Sequence, residues 1–432
     1  MALTLVNDPA PASKQNEGKK WLFPFILVIS LFFFWGFVHN LDPILIPHLR
    51  KAFQLNDLQS SLIDSSVFIA YFVMALPAGY VMRRYGYKAG FVCGLILFAT
   101  GCFLFLPAAD TYQYIFFLGA LFVIASGLTF LETAANPYIT VIGPPETATQ
   151  RLNFAQSFNG LAAMIAPVIG GRIILSGTEM TDAQYKALSP EALEQYLNME
   201  SQSVKTPYLI LGLVIFLVAV LFILSKLPDV KGEKDKESGN PLHALKHRHL
   251  SWAVVAQFFY VGAQVCVVSF FIKMARTGAD MDEKTAAEYL GWGYGLAFMS
   301  GRFIGTFLMK FFKSQNLLAI YAVINIILSA IAILSHGVIV VYALIAIGFF
   351  MSIMFPTIFS LGIKDLGHDT KLASSLIVMA IVGGALLPPV LGIISDETGS
   401  IQNGYIVPLI CFVVVLLFAL KGYKIKENKT IA

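Results

Sequence analysis

Between residues 111 and 145 the chain has one charged residue, Glu132, within a long apolar stretch. Inserting an acidic side chain near the middle of a membrane-spanning helix costs roughly 2.5–3.5 kcal/mol, so such a group usually faces a cavity or a partner. Apolar surroundings also favour the protonated form of a carboxyl group, as a proton carrier requires. Glu132 is therefore the first candidate for proton coupling. A structural acid bonded to a neighbouring helix remains the alternative.

An amide and a proline follow Glu132, and a second acid lies in the first apolar run. Asn136 follows Glu132 by four residues and shares its helical face. Pro137 lacks a backbone donor and is predicted to kink or end the helix there. Asp42 lies two residues after Asn40, which we assign to binding of sugar hydroxyl groups, and the apolar pattern resumes after Asp42. We interpret Asp42 as a second ionisable group facing a central cavity, the alternative being the solvated outer end of that run.

Amide side chains recur in the stretch RLNFAQSFNG, where Asn153, Gln156 and Asn159 follow one another at three-residue spacing. Amides offer donors and acceptors without net charge, which suits the hydroxyl groups of a neutral sugar. Hydrogen bonding between helices explains the same pattern equally well. Other residues able to stack on or bond a sugar ring are Trp35, Gln257, Tyr260, Gln264, Trp292 and Tyr294.

One arginine, Arg302, also falls within an apolar run, in the segment FMSGRFIGTF. We interpret it as a helix-packing or gate residue. The alternative is that its apolar stem extends to the membrane surface, where the charge meets water.

The elements that must position these residues are membrane-spanning helices. The chain has 432 residues, of which 57% are hydrophobic and only 13% charged, and its mean hydropathy is +0.73. Soluble domains carry about 25% charged residues, so an integral all-α membrane protein is predicted. Twelve runs are long enough to span a bilayer, near 22–47, 57–82, 88–108, 112–140, 151–176, 206–227, 249–273, 286–312, 317–335, 338–363, 371–395 and 403–421.

The spans divide into two halves of six around a charged segment. We predict a tail at 1–21, a six-helix domain at 22–227, a linker at 228–248, a second six-helix domain at 249–421 and a tail at 422–432. Most of the 30 Lys and Arg residues fall in loops on the side of the N-terminus. The positive-inside rule then predicts that both termini are cytoplasmic.

Several function classes find no support in the sequence. The four cysteines lie in apolar runs without a CxxC pair, so we expect neither disulfides nor a bound metal. No GxxxxGK[ST] loop or catalytic constellation is present, so ATP-driven pumping and hydrolysis lack support and we expect no cofactor. The basic residues cluster in the loops between apolar runs, where they indicate membrane topology, so no nucleic-acid partner is expected. The polar segment at 177–205 contains Ser189-Pro190-Glu191, a typical helix start, and we predict a short external helix or lid.

Taken together, six stretches resemble one family of transporters. The chain is similar to the fucose/galactose/glucose:proton symporter group of the major facilitator superfamily on NLDPILIPHLRKAF, LETAANPYITVIGP, RLNFAQSFNG, AQFFYVGAQ, GRFIGT and FPTIFSLGIKDLG. The resemblance implies twelve helices in two domains that work by alternating access. It also implies one carboxylate in the first span and one in the fourth, which serve proton coupling and sugar binding.

The resemblance carries over to particular positions. Glu132 matches the acid of the fourth span, Gln156 and Asn159 match sugar-site amides of the fifth, and Trp35 also matches. The implied proton-coupling pair is therefore Glu132 with Asp42.

Three positions depart from the family pattern. The family has an Asn-Asp pair where this chain has Asp42-Pro43, which moves the carboxylate by one residue, or about 100° around a helix. Phe355 stands where a tyrosine is expected in the tenth span. Arg83 replaces the acid that is common elsewhere in the superfamily, and we group it with Arg302 and Pro137 as gate or structural residues. These departures bear on which sugar is transported.

The function predicted from the sequence is import of a neutral monosaccharide, L-fucose or a related hexose, together with protons across the inner membrane. We expect a multi-pass monomer in the lipid bilayer, a secondary transporter and not an enzyme. Two alternatives remain open: a Na⁺-coupled carrier for a sugar such as N-acetylglucosamine, and a proton-driven exporter of drugs or metabolites. A non-transporting sensor has little support, because the sequence contains no large soluble domain.

Overall fold

The structure is a computed structural model that describes residues 13–41, 57–174, 189–228 and 244–425, together with residues 45, 49 and 53. Asp42 and Pro43 lie outside these residues. Long apolar runs form helices because the bilayer offers backbone groups no hydrogen-bond partner other than the chain itself. The six long helices of the first half are α1 (Ser13–His39), α2 (Asp57–Tyr85), α3 (Tyr87–Thr111), α4 (Tyr114–Val141), α5 (Ala148–Ile174) and α6 (Lys205–Leu224).

The second half repeats this arrangement with more interruptions, since α7 and α10 each consist of two segments and both α8 and α11 change helix type along their length. Its helices are α7 (Arg248–Ser269 and Phe271–Ala279), α8 (Glu283–Glu288, the π-helical Tyr289–Tyr294 and Gly295–Leu308), α9 (Ser314–Leu334), α10 (Val338–Met351 and Met354–Gly362), α11 (Thr370–Met379, the 3₁₀ turn Ala380–Val382 and Gly383–Thr398) and α12 (Ile401–Gly404, Ile406–Leu417 and the π-helical Phe418–Gly422).

Each of the twelve predicted spans overlaps a helix among the described residues, and the predicted all-α fold of twelve transmembrane helices is confirmed. Among the described residues, nine helices are long and apolar enough to cross a membrane, and Pro24–His39 of α1 is a shorter apolar helix. The amides and arginines of α5 lower its hydropathy, and the π-helical segment shortens the regular helix of α8.

Successive helices run in opposite directions, which defines two faces of the helix bundle. We call the face where α6 ends at Leu224 and α7 begins at Arg248 the linker side, and the opposite face the far side. The halves meet where α2 packs against α11 and α5 packs against α8. At the first of these contacts Gly79 is required, because a Cβ there would lie 1.9 Å from Oγ of Ser375.

The helix α4 continues through Pro137 to Val141, so of the two predicted effects, a kink or an end of the helix, the end does not occur at Pro137. Pro137 cannot donate to the carbonyl of Thr133 one turn earlier. That carbonyl instead accepts a hydrogen bond from Oγ of Ser374 in α11, at 2.6 Å. A side chain of a neighbouring helix thus replaces the missing backbone bond, and the helix persists.

The helix predicted in the outer segment is present at Pro190–Ser203. Oγ of Ser189 accepts a hydrogen bond from the backbone N–H of Ala192, at 3.3 Å, as expected of an N-cap. At the far end Gln202 donates to the carbonyl of Ala109, which fixes the helix against α3. A lid function for this helix stays a prediction.

Candidate functional site

The acid Glu132 lies in the most enclosed part of the first half. Every residue of α4 from Ile124 to Ile139 is buried, and the side chain of Glu132 is 4% exposed. Its carboxyl group forms a hydrogen bond with the side chain of Tyr71 from α2, and the charge of Arg302 also acts on it. Counted along α4, Glu132 lies about 13 Å from the linker-side end of the helix.

Two amides and an arginine form a continuous chain of hydrogen bonds beside this acid. Nε2 of Gln156 donates to Oδ1 of Asn136 at 3.1 Å. Nη1 of Arg302 donates to the backbone carbonyl of Gln156 at 2.5 Å and to its Oε1 at 3.3 Å. We call Glu132, Asn136, Gln156 and Arg302 the central cluster. It joins α4 and α5 of the first half to α8 of the second.

Burial and several contacts fix the position of Arg302. Its side chain is 4% exposed, Nε donates to the carbonyl of Ser352 at 3.0 Å, and the guanidinium carbon lies 4.6 Å from the ring centroid of Phe298. The guanidinium is therefore buried and held by carbonyls of both halves, which agrees with the gate interpretation. The alternative of a side chain extended to the membrane surface is wrong.

The second half presents α7 residues towards the same region. Gln257 and Tyr260 are fully buried, and the charge of Arg302 acts on Tyr260. Neither amide atom of Gln257 nor the hydroxyl of Tyr260 has a hydrogen-bond partner among the described residues. The ring of Tyr260 lies 6.3 Å from that of Phe355, centroid to centroid. These buried polar atoms are therefore able to bind hydroxyl groups of a ligand.

The helix α1 brings its aromatic and amide residues to α5. Trp35 is 5% exposed, with its ring 4.9 Å from that of Phe32. The backbone at Gly36 approaches α5 so closely that a Cβ would lie 2.7 Å from Nδ2 of Asn159. Nδ2 of Asn40 donates a hydrogen bond to the carbonyl of Gly36 at 2.6 Å, near the end of α1. Asn159 is half-buried, whereas Asn40 contributes at least one bond to local structure.

A row of hydrogen bonds between the halves lies nearer the linker side than the central cluster. We call its members the linker-side closure. Ser374 donates to the carbonyl of Thr133 at 2.6 Å. The two remaining bonds join Asn153 Nδ2 to Thr357 Oγ1 at 3.2 Å and Thr149 Oγ1 to Ser360 Oγ at 2.8 Å. Asn153 therefore takes part in interhelical bonding, although its Oδ1 has no partner among the described residues.

Three predicted residues lie apart from the central cluster. Arg83 lines a cavity of about 1290 Å³ formed by the loops of the linker side, beyond the closure. Gln264 lies two turns from Gln257 along α7 and is half-buried. Trp292, in the π-helical segment, is 61% exposed, whereas Tyr294 of the same segment is buried.

Sequence reasoning missed several residues that contact the site or the closure, among them Tyr71, Thr149, Ser352, Thr357, Ser360 and Ser374. Tyr71 lies in an apolar run without any nearby charge, so the sequence gives no indication that it contacts the acid. The position of Ser374 carried an indirect signal, because Pro137 predicts an unpaired carbonyl at Thr133.

This arrangement places one buried acid and several neutral amides between two helical domains, and the hydrogen bonds described between the domains lie at the central cluster and on its linker side. Among the residues that the structure describes, no group of three or more His, Cys, Asp or Glu could hold a metal ion. The fold and site define a multi-pass membrane transporter with two domains around a central polar site.

The family is shown by comparison with known proteins. The model of the Major Facilitator Superfamily matches residues 25–379, and the chain belongs to this family.

Two relatives and one solved structure are similar over nearly the whole chain. The L-fucose-proton symporter of Escherichia coli (strain K12) is 43% identical over 412 residues, covering 94% of each chain. The glucose/galactose transporter of Brucella abortus biovar 1 (strain 9-941) is 41% identical over 430 residues, covering 98% of this chain and 100% of that protein. The crystal structure of the transporter FucP in the outward conformation has a TM-score of 0.85 at 43% identity, with 92% of this chain and 97% of that chain covered.

Proposed function

We propose that the protein imports a neutral monosaccharide, L-fucose or a related hexose, together with protons by alternating access. The observation that carries this proposal is the buried carboxyl of Glu132 beside uncharged amides at the junction of the two halves. The names of the relatives, an L-fucose-proton symporter and a glucose/galactose transporter, support the same substrate class.

Glu132 carries the proton in this proposal, with Asp42 as the second acid. A buried carboxylate next to a fixed guanidinium is stabilised as an ion, whereas its protonated form is favoured by burial. Burial favours the protonated form of Glu132, and the hydrogen bond with Tyr71 and the charge of Arg302 oppose it. A proton that enters gains about 2.3 kcal/mol per 100 mV of membrane potential.

The sugar binds, in this proposal, between the first-half amides and the α7 residues of the second half. Gln257 and Tyr260 supply polar atoms that have no partner among the described residues, and Trp35 supplies a ring face. Gln156 and Asn159 supply amides from α5. Buried polar groups left unpaired are unfavourable, so a ligand with several hydroxyl groups is stabilised there.

The direction of access follows from the linker-side closure. Bonds between the halves at Thr133, Asn153 and Thr149 lie on the linker side of the central cluster. With both termini cytoplasmic, these bonds lie on the cytoplasmic side of the central cluster, which supports a state in which the cytoplasmic side is closed. We place the protein in the inner membrane as a monomer.

Protons are favoured over sodium by the surroundings of Glu132. Hard cations are held by several oxygen ligands. The hydrogen-bonding group described at this carboxyl is the single hydroxyl of Tyr71, and the charge acting on it is that of Arg302. One carboxyl group suffices to bind a proton, so Na⁺ is the alternative to be tested.

The decisive experiment separates sugar exchange from proton-driven accumulation in proteoliposomes. Glu132→Gln is expected to retain counterflow of labelled sugar, which moves no net protons, and to lose accumulation driven by a pH gradient. The matched control is Glu146→Gln, at an exposed glutamate of the turn Pro145–Thr147. Unchanged accumulation in Glu132→Gln would contradict the role given to this acid.

A substrate panel tests the remaining alternatives. Labelled L-fucose, D-galactose, D-glucose and N-acetylglucosamine would be offered while the pH gradient and Na⁺ are varied separately. Uptake that requires Na⁺ and survives a collapsed pH gradient would favour the sodium-coupled carrier. Transport of apolar compounds without competition by any sugar would favour the exporter.

A further inference from the structure

A groove of about 330 Å³ opens on the lateral surface where the two halves meet. The first half contributes α1 and α5, and the second half contributes α8 and the residue just beyond its end. None of its residues belongs to the central cluster. The groove is lined by Phe25, Gln150, Arg151, Phe154, Phe303, Thr306, Phe307 and Lys310.

The deep part of the groove is aromatic. Phe25 and Phe154 stack with their ring centroids 6.3 Å apart, and they form the wall of the first half. Phe303 and Phe307, respectively 40% and 54% exposed, form the wall of the second half. These residues belong to membrane-spanning helices, so their exposed rings face acyl chains and not water.

The mouth of the groove is basic and lies at the linker-side ends of the helices. Arg151 is three residues inside the start of α5, and Lys310 lies two residues beyond the end of α8. Phe303 is seven residues before Lys310, or about 10 Å deeper along a helix. The groove therefore has charge at the level of lipid headgroups and aromatic rings at the level of acyl chains.

The two cations differ in how firmly they are held. Four of the five N–H donors of Arg151 bond to the carbonyls of Ile139, Thr140 and Pro144 and to the hydroxyl of Thr147, so its charge is fixed. The ammonium of Lys310 lies 5.4 Å from the ring centroid of Phe307 and is exposed. The carboxylate of Glu146 acts on Arg151 and offsets one of the two positive charges. One positive charge remains in excess at the mouth.

We propose that this groove binds one acidic phospholipid, with its phosphate at Lys310 and Arg151 and an acyl chain between the phenylalanines. Basic pockets between membrane helices are a recognised kind of site for anionic headgroups. Because its walls come from both halves, the lipid contacts the transporter on each side of the interface and stabilises the conformation described here. Residues 1–12 carry one acidic side chain, Asp8, and no Lys or Arg, so this segment is the competing occupant that a deletion tests.

The test is native mass spectrometry of the full-length protein in detergent, with phosphatidylglycerol and phosphatidylcholine of identical acyl chains in competition. We expect at least fivefold preference for phosphatidylglycerol. Lys310→Gln should reduce this preference about fivefold, since a cation near a membrane surface contributes about 1 kcal/mol. The matched control is Lys313→Gln, because Lys313 is exposed on the same loop and lines the linker-side cavity but not the groove.

Four results would overturn the proposal. Equal binding of the two lipids would remove the headgroup recognition, and equal loss in Lys313→Gln would make the effect one of general surface charge. Displacement of the lipid by millimolar inorganic phosphate would identify a free-anion site. Increased lipid binding after deletion of residues 1–12 would make that segment the occupant.

Discussion

The hydrogen bond from Ser374 to the carbonyl of Thr133 depends on a proline, and this dependence can be tested by a double-mutant cycle. Pro137 leaves that carbonyl without its backbone donor, and Ser374 of the other half supplies the replacement at 2.6 Å. Ser374→Ala removes the replacement and leaves a buried carbonyl unpaired. In Pro137→Ala the backbone N–H of residue 137 returns, so the carbonyl stays bonded whether or not Ser374 is present.

The magnitude follows from interhelical hydrogen bonds measured in membranes, which average about 0.6 kcal/mol and reach about 1.7 kcal/mol. A free-energy difference of about 1.4 kcal/mol changes an equilibrium constant tenfold. Ser374→Ala should therefore lower the ratio of molecules with a closed linker side to those with an open one by roughly threefold to fifteenfold. In the Pro137→Ala background the same substitution should have a clearly smaller effect. The difference between the two effects is the coupling energy of the cycle.

The assay is double electron–electron resonance between spin labels on the two halves. Tyr85→Cys and Lys364→Cys place labels at exposed linker-side positions of α2 and just beyond α10, in a Cys93→Ser background. A longer distance reports an open linker side. Equal effects of Ser374→Ala with and without Pro137 would refute the reasoning.

A neighbouring serine provides the control for this cycle. Ser375 lies in the same stretch of α11, but its Oγ donates to the carbonyl of Lys371 in its own helix, at 3.2 Å. Ser375→Ala is therefore expected to leave the distance distribution unchanged.

Two further substitutions test the contact between the halves. Gly79→Ala should shift the spin-label distances towards the open linker side, because its Cβ would lie 1.9 Å from Oγ of Ser375, and Ser375→Ala should reverse part of the shift, since Cβ of Ser375 would still lie 3.1 Å away; no shift in the single variant would contradict the close packing. Arg302→Lys keeps the charge but loses the forked donors to Gln156 and Ser352. Bonds to charged groups contribute about 1.5–3 kcal/mol, so sugar counterflow should fall at least tenfold, and an unchanged rate would contradict the gate role.

The spans and the central acid could be predicted from the sequence because both are imposed by the bilayer. An apolar run of about 20 residues has few alternatives to a helix. A lone charge within such a run is unfavourable enough that Glu132 and Arg302 stand out from the amino-acid pattern alone. The same reasoning identified Asn136 and Gln156, whose spacing places them on the faces that meet.

Serine and threonine residues explain most of what could not be predicted. In apolar helices these side chains commonly bond to a carbonyl three or four residues earlier in the same helix, as Thr129 and Ser352 do. Ser360 and Ser374 also lie within apolar runs, but their hydroxyl groups form hydrogen bonds with residues of the other half. Local sequence does not distinguish the two behaviours, because the choice depends on which helix packs alongside.

The helix α4 places the site and the closure on adjacent residues. The carboxyl of Glu132 bonds to Tyr71 and lies in the field of Arg302, while the carbonyl of the next residue, Thr133, is held by Ser374. Coupling between distant sites needs intervening elements that have two arrangements. Here one helical turn contacts both halves, so in the proposed mechanism a displacement of that turn on protonation of Glu132 would act on the closure directly. A change at Pro137 is therefore expected to alter proton-driven transport as well as the spin-label distances.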